Sequence, residues 1–307
     1  MTDAVRLFEV SLRDGLQNEP TVVSTDAKVE LARRLVASGF RDIEVTSFVR
    51  PRMIPQLSDA AEVIRRLPRV DGVRYWALVP NQVGLERALD AGVSNIATFL
   101  SASETHNLKN VNRTVKESLA GLHSVIGTAV AHGVGVRAYI SCVFGCPYEG
   151  DVAVQRTIDL ARALLAAGAS EIALGDTTGM ADPEQVKRVV TAVGEAGIPL
   201  DKLALHFHDT RGTAAVNAYA AWQLGARMFD GALSGVGGCP YAQGAAGNAC
   251  TQDLVNMFES MGVDTGVDLD TACEAGEFLE DVLGRPLPGR YHQYWIGSRA
   301  RSAARSA

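Results

Sequence analysis

The chain has 307 residues, 47% hydrophobic and 21% charged, and its 29 Lys and Arg against 35 Asp and Glu give a net charge of −6. That length and composition support a large buried core, so a disordered chain is excluded, and the negative balance disfavours a general binder of nucleic acid or anionic membrane. No run of about 20 apolar residues occurs, so no membrane-spanning helix is expected.

Short β-rich runs alternate with longer amphipathic ones along the whole chain. Residues 5–12 read as a first strand and 26–37 as its helix, with Ser24 or Thr25 as cap and Gly39 as stop. Residues 42–46 form a second strand before a helix at 58–67. A third strand at 73–79 precedes a helix at 82–90 that Gly92 ends, and a fourth at 94–99 precedes a long helix at 111–132. Residues 135–142 are a fifth strand and 152–167 its helix, stopped by Gly168. The sixth strand, 171–174, leads to a helix at 183–196 with Asp182 as cap and Pro183 in its first turn. The seventh and eighth strands, 203–206 and 228–233, are followed by helices at 213–224 and 249–261. Eight short strands joined by helices imply parallel pairing and right-handed crossovers, and a closed (β/α)8 TIM barrel is expected over an open doubly wound sheet. One more helix is expected at 271–283, so that residues 1–285 make one catalytic barrel domain and 286–307 a partly mobile tail.

In such a barrel the chemistry collects where the strands end. The first strand runs into Arg13-Asp14-Gly15, the second carries Glu44, the fourth leads to Ser101 through Asn107 with His106 among them, and the sixth ends near Asp176. The seventh ends in His206-Phe207-His208, and the eighth leads into a glycine-rich loop with Cys239 and then Asn248. Side chains two apart on a strand point the same way, so His206 and His208 either grip one divalent cation or sit as a pair of satisfied core histidines. Asp14 adds a hard oxygen and Asn248 offers an amide oxygen. A mixed nitrogen and oxygen set with open water positions suits Mg²⁺, Mn²⁺ or Zn²⁺. Arg13 is either a fixed cation for a developing enolate oxygen or the ion-pair partner of Glu44, and the two roles are compatible. Asp176 reads as a base, as an orienting group or as plain turn chemistry. Cys239 reads as a buried small residue or as a thiol that exchanges a proton.

Other residues are less informative. His123 and His132 fall on an outer helix, and His292 has no assigned role. The five cysteines are odd in number, and the Cys142/Cys146 spacing lacks the second pair of a zinc ribbon, so neither a disulfide framework nor structural zinc is expected. Strand-like sequence begins at Val5, which leaves no room for a signal or transit peptide and makes a cytoplasmic protein the expectation.

Several segments resemble the 3-hydroxy-3-methylglutaryl-CoA lyase family of metal-dependent aldolase/Claisen barrels. They are Arg13 through Glu19, Glu44 through Val49, Ser141 through Gly150, Leu174 through Thr177, His206 through Thr210, and the specific loop GVGGCPYAQGAAGN from Gly235 to Asn248. The resemblance implies a divalent cation, Mg²⁺ or Mn²⁺, held by Asp14, His206, His208 and Asn248. It implies Arg13 as enolate stabiliser supported by Glu44, Asp176 and His206 as acid–base groups, and Cys239 as the loop thiol. The implied reaction is retro-Claisen cleavage of an acyl-CoA thioester to acetoacetate and acetyl-CoA, in a homodimer. Pro20, Thr178 and Arg211 stand where the family commonly has a lysine, an aliphatic residue and a tyrosine. Arg211 and His106 therefore suggest a related substrate such as citramalyl-CoA as the alternative. A condensing synthase and a silent metal-binding barrel are the remaining readings.

Overall fold

The computed structural model describes residues 3–239 and 242–306, with the side chains of 239–246 and of 302–306 left aside. The eight β-rich runs form β1 (Arg6–Glu9), β2 (Asp42–Ser47), β3 (Arg74–Leu78), β4 (Asn95–Ser101), β5 (Gly135–Ser141), β6 (Glu171–Asp176), β7 (Leu203–Phe207) and β8 (Met228–Gly231). Each pairs in parallel with its neighbour in sequence, and β8 closes onto β1 from Arg6–Met228 to Glu9–Gly231. There is no switch point, so the ring is the expected closed barrel.

The helices are α1 (Thr25–Ala37), α2 (Ala60–Arg66), α3 (Gln82–Ala91), α4 (Glu104–Val111), α5 (Val115–Ala131), α6 (Val154–Ala167), α7 (Pro183–Glu195), α8 (Ala214–Gln223), α9 (Thr251–Ser260), α10 (Leu269–Leu283) and α11 (Arg290–Ser306). Their apolar faces and the outward residues of the strands form one continuous core. Ser24 caps α1 by accepting from Ala27 N at 3.2 Å, and Asp182 caps α7 by accepting from Gln185 N at 2.9 Å. None of the helices in the described residues is long and apolar enough to cross a membrane.

Three stretches differ from the sequence expectation. The helix expected over 111–132 starts later, as α5 at Val115, because an unexpected α4 ends at Asn112 in a left-handed conformation (φ 53°) and Thr114 with Glu117 forms the capping box that starts α5. Strand β1 stops at Glu9, and Ser11–Gly15 forms a π-turn in which the Val10 carbonyl oxygen accepts from Arg13, Asp14 and Gly15 N at 3.2, 2.8 and 3.1 Å. The segment expected as a tail carries α11. Ala and Arg favour helix there, and fully buried His292 with Trp295, 7% exposed, anchors it.

Inward-facing positions of the barrel carry charge. Arg137 on β5 is 0% exposed; it donates to Asp230 on β8, and its Nη1 lies 3.0 Å from Glu171 on β6. Its guanidinium stacks 3.9 Å over the Phe8 ring. A buried cation is tolerated only with such partners around it. Sequence reading missed this group, because charged residues inside strands look like surface residues until the barrel closes.

Candidate active site

The π-turn after β1 decides where the first functional residues go. Glu9, fully buried, accepts from Ser11 N at 2.8 Å, Leu233 N at 3.2 Å and Thr251 Oγ1 at 2.7 Å. These bonds draw the chain off the ladder, and the tight turn that follows lifts Arg13 and Asp14 to the mouth. Such π-turns are frequent at functional sites. The turn also packs against the base of the glycine-rich loop. A Cβ on Gly15 would stand 2.6 Å from Val236 Cγ1, and one on Gly237, whose φ is +118°, would stand 2.8 Å from Asn248 Nδ2. Only glycine lets these two segments approach so closely.

Asp14, His206 and His208 meet there. The two Nε2 atoms are 3.2 Å apart, and Asp14 Oδ2 lies 3.9 Å from His206 Nε2 and 3.8 Å from His208 Nε2. All three ligand atoms lie within 4.8 Å of one another, the cluster of this kind found among the described residues. Two nitrogens each about 2.1 Å from one ion stand roughly 3.0 Å apart at a right angle and roughly 3.4 Å apart at the tetrahedral angle. The observed 3.2 Å falls between. The histidines are buried, while the Asp14 side chain is 19% exposed and opens the set toward solvent.

Asn248 is brought to the same place by backbone pairing: it forms an antiparallel bridge with His208. Its Nδ2 lies 3.4 Å from the Val236 carbonyl oxygen, and its Oδ1 is buried with no hydrogen-bond partner among the described residues. A buried amide oxygen without a donor is a costly arrangement unless something meets it. The residues present therefore fit a hard divalent cation.

The charges around the cluster are ordered. Arg13, 7% exposed, bonds Asp14 through Nη1 and lies 2.8 Å from Glu44 Oε2 through Nη2. Burial works against its charge, but Asp14 and Glu44 outweigh it and hold it firmly cationic. Burial also opposes the charge on Asp14, yet Arg13 and the two imidazoles hold its carboxyl well below the usual range. Glu44 accepts from Tyr139 Oη at 3.1 Å, and a register shift in β2 between Glu44 and Thr46 sits just beside it. Tyr139 stands edge-on to His206 at 5.7 Å between ring centres. The sequence reading passed over Tyr139, although it shares a strand face with Arg137 and Ser141.

Asp176 ends β6. Its Oδ1 accepts from Met180 N at 2.7 Å and Ala181 N at 3.2 Å, while Oδ2 is buried and has no partner among the described residues. Burial raises its pKa to about 6, against the pull of the Met180 N–H and the imidazoles. Arg211 donates through Nη1 to the carbonyl oxygens of Thr178 and Gly179 at 2.8 and 2.7 Å. His106 is 3% exposed in α4, and burial lowers its pKa. Cys142 and Cys146 are buried free thiols, as packing residues would be. Cys239 begins a short hairpin, β9 (Gly238–Cys239) with β10 (Ala242–Ala246), but its side chain lies outside the described residues.

A closed (β/α)8 barrel that gathers a carboxylate, two imidazoles and a buried cationic arginine at one mouth has the layout of a barrel enzyme, with its polar groups where the strands end. The HMGL-like family model matches residues 4–279. The hydroxymethylglutaryl-CoA lyase YngG of Bacillus subtilis is 48% identical over 294 residues, covering 96% of this chain and 98% of that protein. The human cytoplasmic 3-hydroxy-3-methylglutaryl-CoA lyase is 43% identical over 293 residues, 95% of this chain and 79% of that one. The crystal structure of the Bacillus subtilis lyase superposes with a TM-score of 0.94 over 96% of this chain and 98% of that chain. An Acinetobacter baumannii lyase solved with coenzyme A and 3-methylmalate is 43% identical, with a TM-score of 0.90 and 95% of each chain covered. The chain belongs to the hydroxymethylglutaryl-CoA lyase family.

Proposed function

We propose that the protein cleaves 3-hydroxy-3-methylglutaryl-CoA to acetoacetate and acetyl-CoA, with Mg²⁺ or Mn²⁺ held by Asp14, His206, His208 and Asn248. The observation that carries this reading is the meeting of Asp14, His206 and His208 within 4.8 Å of one another, with Arg13 bonded to Asp14. When bound, the cation supplies Lewis acidity that orients oxygen ligands and makes a hydroxyl easier to deprotonate.

The chain's own residues do the rest. A base takes the proton of the C3 hydroxyl; Asp176, with its raised pKa and bare Oδ2, is the group suited to it. The oxygen's electron pair forms the ketone as the C2–C3 bond breaks, and the bonding pair passes into the thioester as an enolate. Arg13 is the fixed charge for that enolate oxygen, and Glu44 with Tyr139 keeps its guanidinium in place. Protonation of the enolate carbon completes acetyl-CoA, and the thiol of Cys239 on its glycine-rich loop is assigned that proton. His206, with Nδ1 on Asp230 and Nε2 toward Asp14, is suited to ligation and stands beside Asp176 as the second acid–base group.

A panel of tertiary 3-hydroxyacyl-CoA thioesters, assayed with Mg²⁺ or Mn²⁺ and with EDTA, tests the reading. Release of acetyl-CoA from 3-hydroxy-3-methylglutaryl-CoA that EDTA abolishes is the expected result. Cleavage of citramalyl-CoA alone moves the substrate, and no metal-dependent turnover across the panel removes the lyase reading. We infer that the protein is a homodimer, which light scattering of the eluted protein tests.

A further inference from the structure

A neutral imidazole has one proton for two nitrogens, and only the bare nitrogen can bind a cation. For His206 the bare nitrogen must be Nε2, which faces His208 Nε2 at 3.2 Å and Asp14 Oδ2 at 3.9 Å. The opposite nitrogen, Nδ1, lies 3.0 Å from Asp230 Oδ2. Asp230 is 2% exposed on β8, and its other oxygen accepts from Arg137 Nη2. Arg137 is in turn fixed by Glu171 at 3.0 Å, and Glu171 is bonded by Arg6. A file of alternating charges thus runs through the barrel, Arg6, Glu171, Arg137, Asp230, and ends on the imidazole.

We propose that Asp230, held by Arg137, is a positioning residue that fixes His206 in the Nδ1-protonated tautomer and so aims a bare Nε2 at the cation. The part concerning the cation rests on the metal reading above; the part concerning the tautomer does not. A carboxylate is acceptor-only, so it can serve Nδ1 only by accepting a hydrogen bond from its N–H. Arg137 matters because guanidinium is donor-only and keeps its charge. Whatever occupies position 230 must turn an acceptor toward Arg137, which leaves its second polar atom for His206.

This makes an isosteric change informative. In Asp230→Asn, Arg137 claims the amide oxygen, and the NH₂ then faces His206 Nδ1. A donor there makes Nδ1 the acceptor and moves the imidazole proton to Nε2, the nitrogen the cation needs. Asp230→Ala gives up the fixed hydrogen bond but leaves the tautomer free to choose. The order of Mn²⁺ affinity is therefore wild type, then Asp230→Ala, then Asp230→Asn, with the last weakened about 10- to 100-fold, the usual effect of losing an orienting partner. If Asp230 served packing alone, the alanine variant, with its cavity and stranded Arg137, would be the weaker one.

The test is a long-range ¹H–¹⁵N spectrum of the metal-free full chain, with the His206 ring assigned by its loss in His206→Gln, followed by Mn²⁺ titration of each variant by calorimetry. The expected result is an Nδ1–H ring in wild type and an Nε2–H ring in Asp230→Asn, with the affinity order above. An Nε2–H ring in the wild type overturns the proposal even if neither variant folds. So does an alanine variant that binds Mn²⁺ less tightly than the asparagine one. A wild type with the Nδ1–H ring that binds no Mn²⁺ supports the tautomer assignment and overturns the metal reading instead.

Discussion

Replacing Arg13 with Met keeps the length of the side chain and removes its charge. Arg13 has its two terminal nitrogens on two carboxylates, Asp14 and Glu44 Oε2 at 2.8 Å, in a pocket where it is 7% exposed. Breaking a buried ion pair from one side costs about 3–5 kcal/mol. The loss here should sit at the lower end of that range, because Glu44 keeps the hydrogen bond from Tyr139 Oη. Losing one preorganised cationic donor to a developing oxyanion costs about 2.7–4 kcal/mol of the barrier, roughly 10²–10³ in kcat. KM should change little, since the enolate exists only on the way to product. Acid tolerance should shift as well. The depressed pKa of Asp14 contributes stability that is present above its unfolded pKa and lost as pH falls through the folded one. Without Arg13 that loss sets in at higher pH. The assay is acetyl-CoA release at saturating Mn²⁺, with urea unfolding at several pH values. A folded, Mn²⁺-loaded Arg13→Met protein with kcat within tenfold of wild type would refute the role given to this arginine.

Asn248→Ala should leave the barrel folded and weaken Mn²⁺ binding about tenfold, read by calorimetry; unchanged affinity would remove the amide from the ligand set. Glu9 has its pKa raised from 4.5 to about 7 by burial, against the bonds from Ser11 and Thr251. A raised carboxyl pKa means that stability falls as pH rises from the unfolded value to the folded one and levels off above it, here by roughly 3 kcal/mol. Glu9→Gln should flatten that fall in urea midpoints between pH 4.5 and 7, and an unchanged pH profile would contradict it. Arg211→Ala frees the carbonyls of Thr178 and Gly179, the contacts that its Nη1 makes. The ratio of kcat/KM for 3-hydroxy-3-methylglutaryl-CoA over citramalyl-CoA should therefore stay the same, and a reversed preference would restore Arg211 as a selecting residue.

The barrel was legible because its signals are local. Strand runs, helix faces and caps such as Ser24 and Asp182 each lie within a few residues of sequence. Asp14, His206 and His208 were legible as a set because the barrel rule puts strand ends at one mouth. What escaped depends on contacts distant in the chain. The end of β1 is set by Glu9, whose partners include Thr251, 242 residues away. The break at Asn112 rests on a single left-handed residue, for which the Thr114–Glu117 spacing was the available sign. Arg137, Glu171 and Asp230 read as ordinary surface charges one at a time. Their signal was shared: each is a charged residue on an inward position of a short apolar strand, and such residues must find one another when the ring closes.

Everything proposed for the reaction requires one cation among Asp14, His206 and His208. Crystals grown with Mn²⁺ and measured at the manganese absorption edge test it most directly. An anomalous peak is expected within about 2.3 Å of Asp14 Oδ2 and of both Nε2 atoms. A peak elsewhere in the barrel, or full occupancy of the histidine pair with Asp14 left outside the coordination shell, would contradict it.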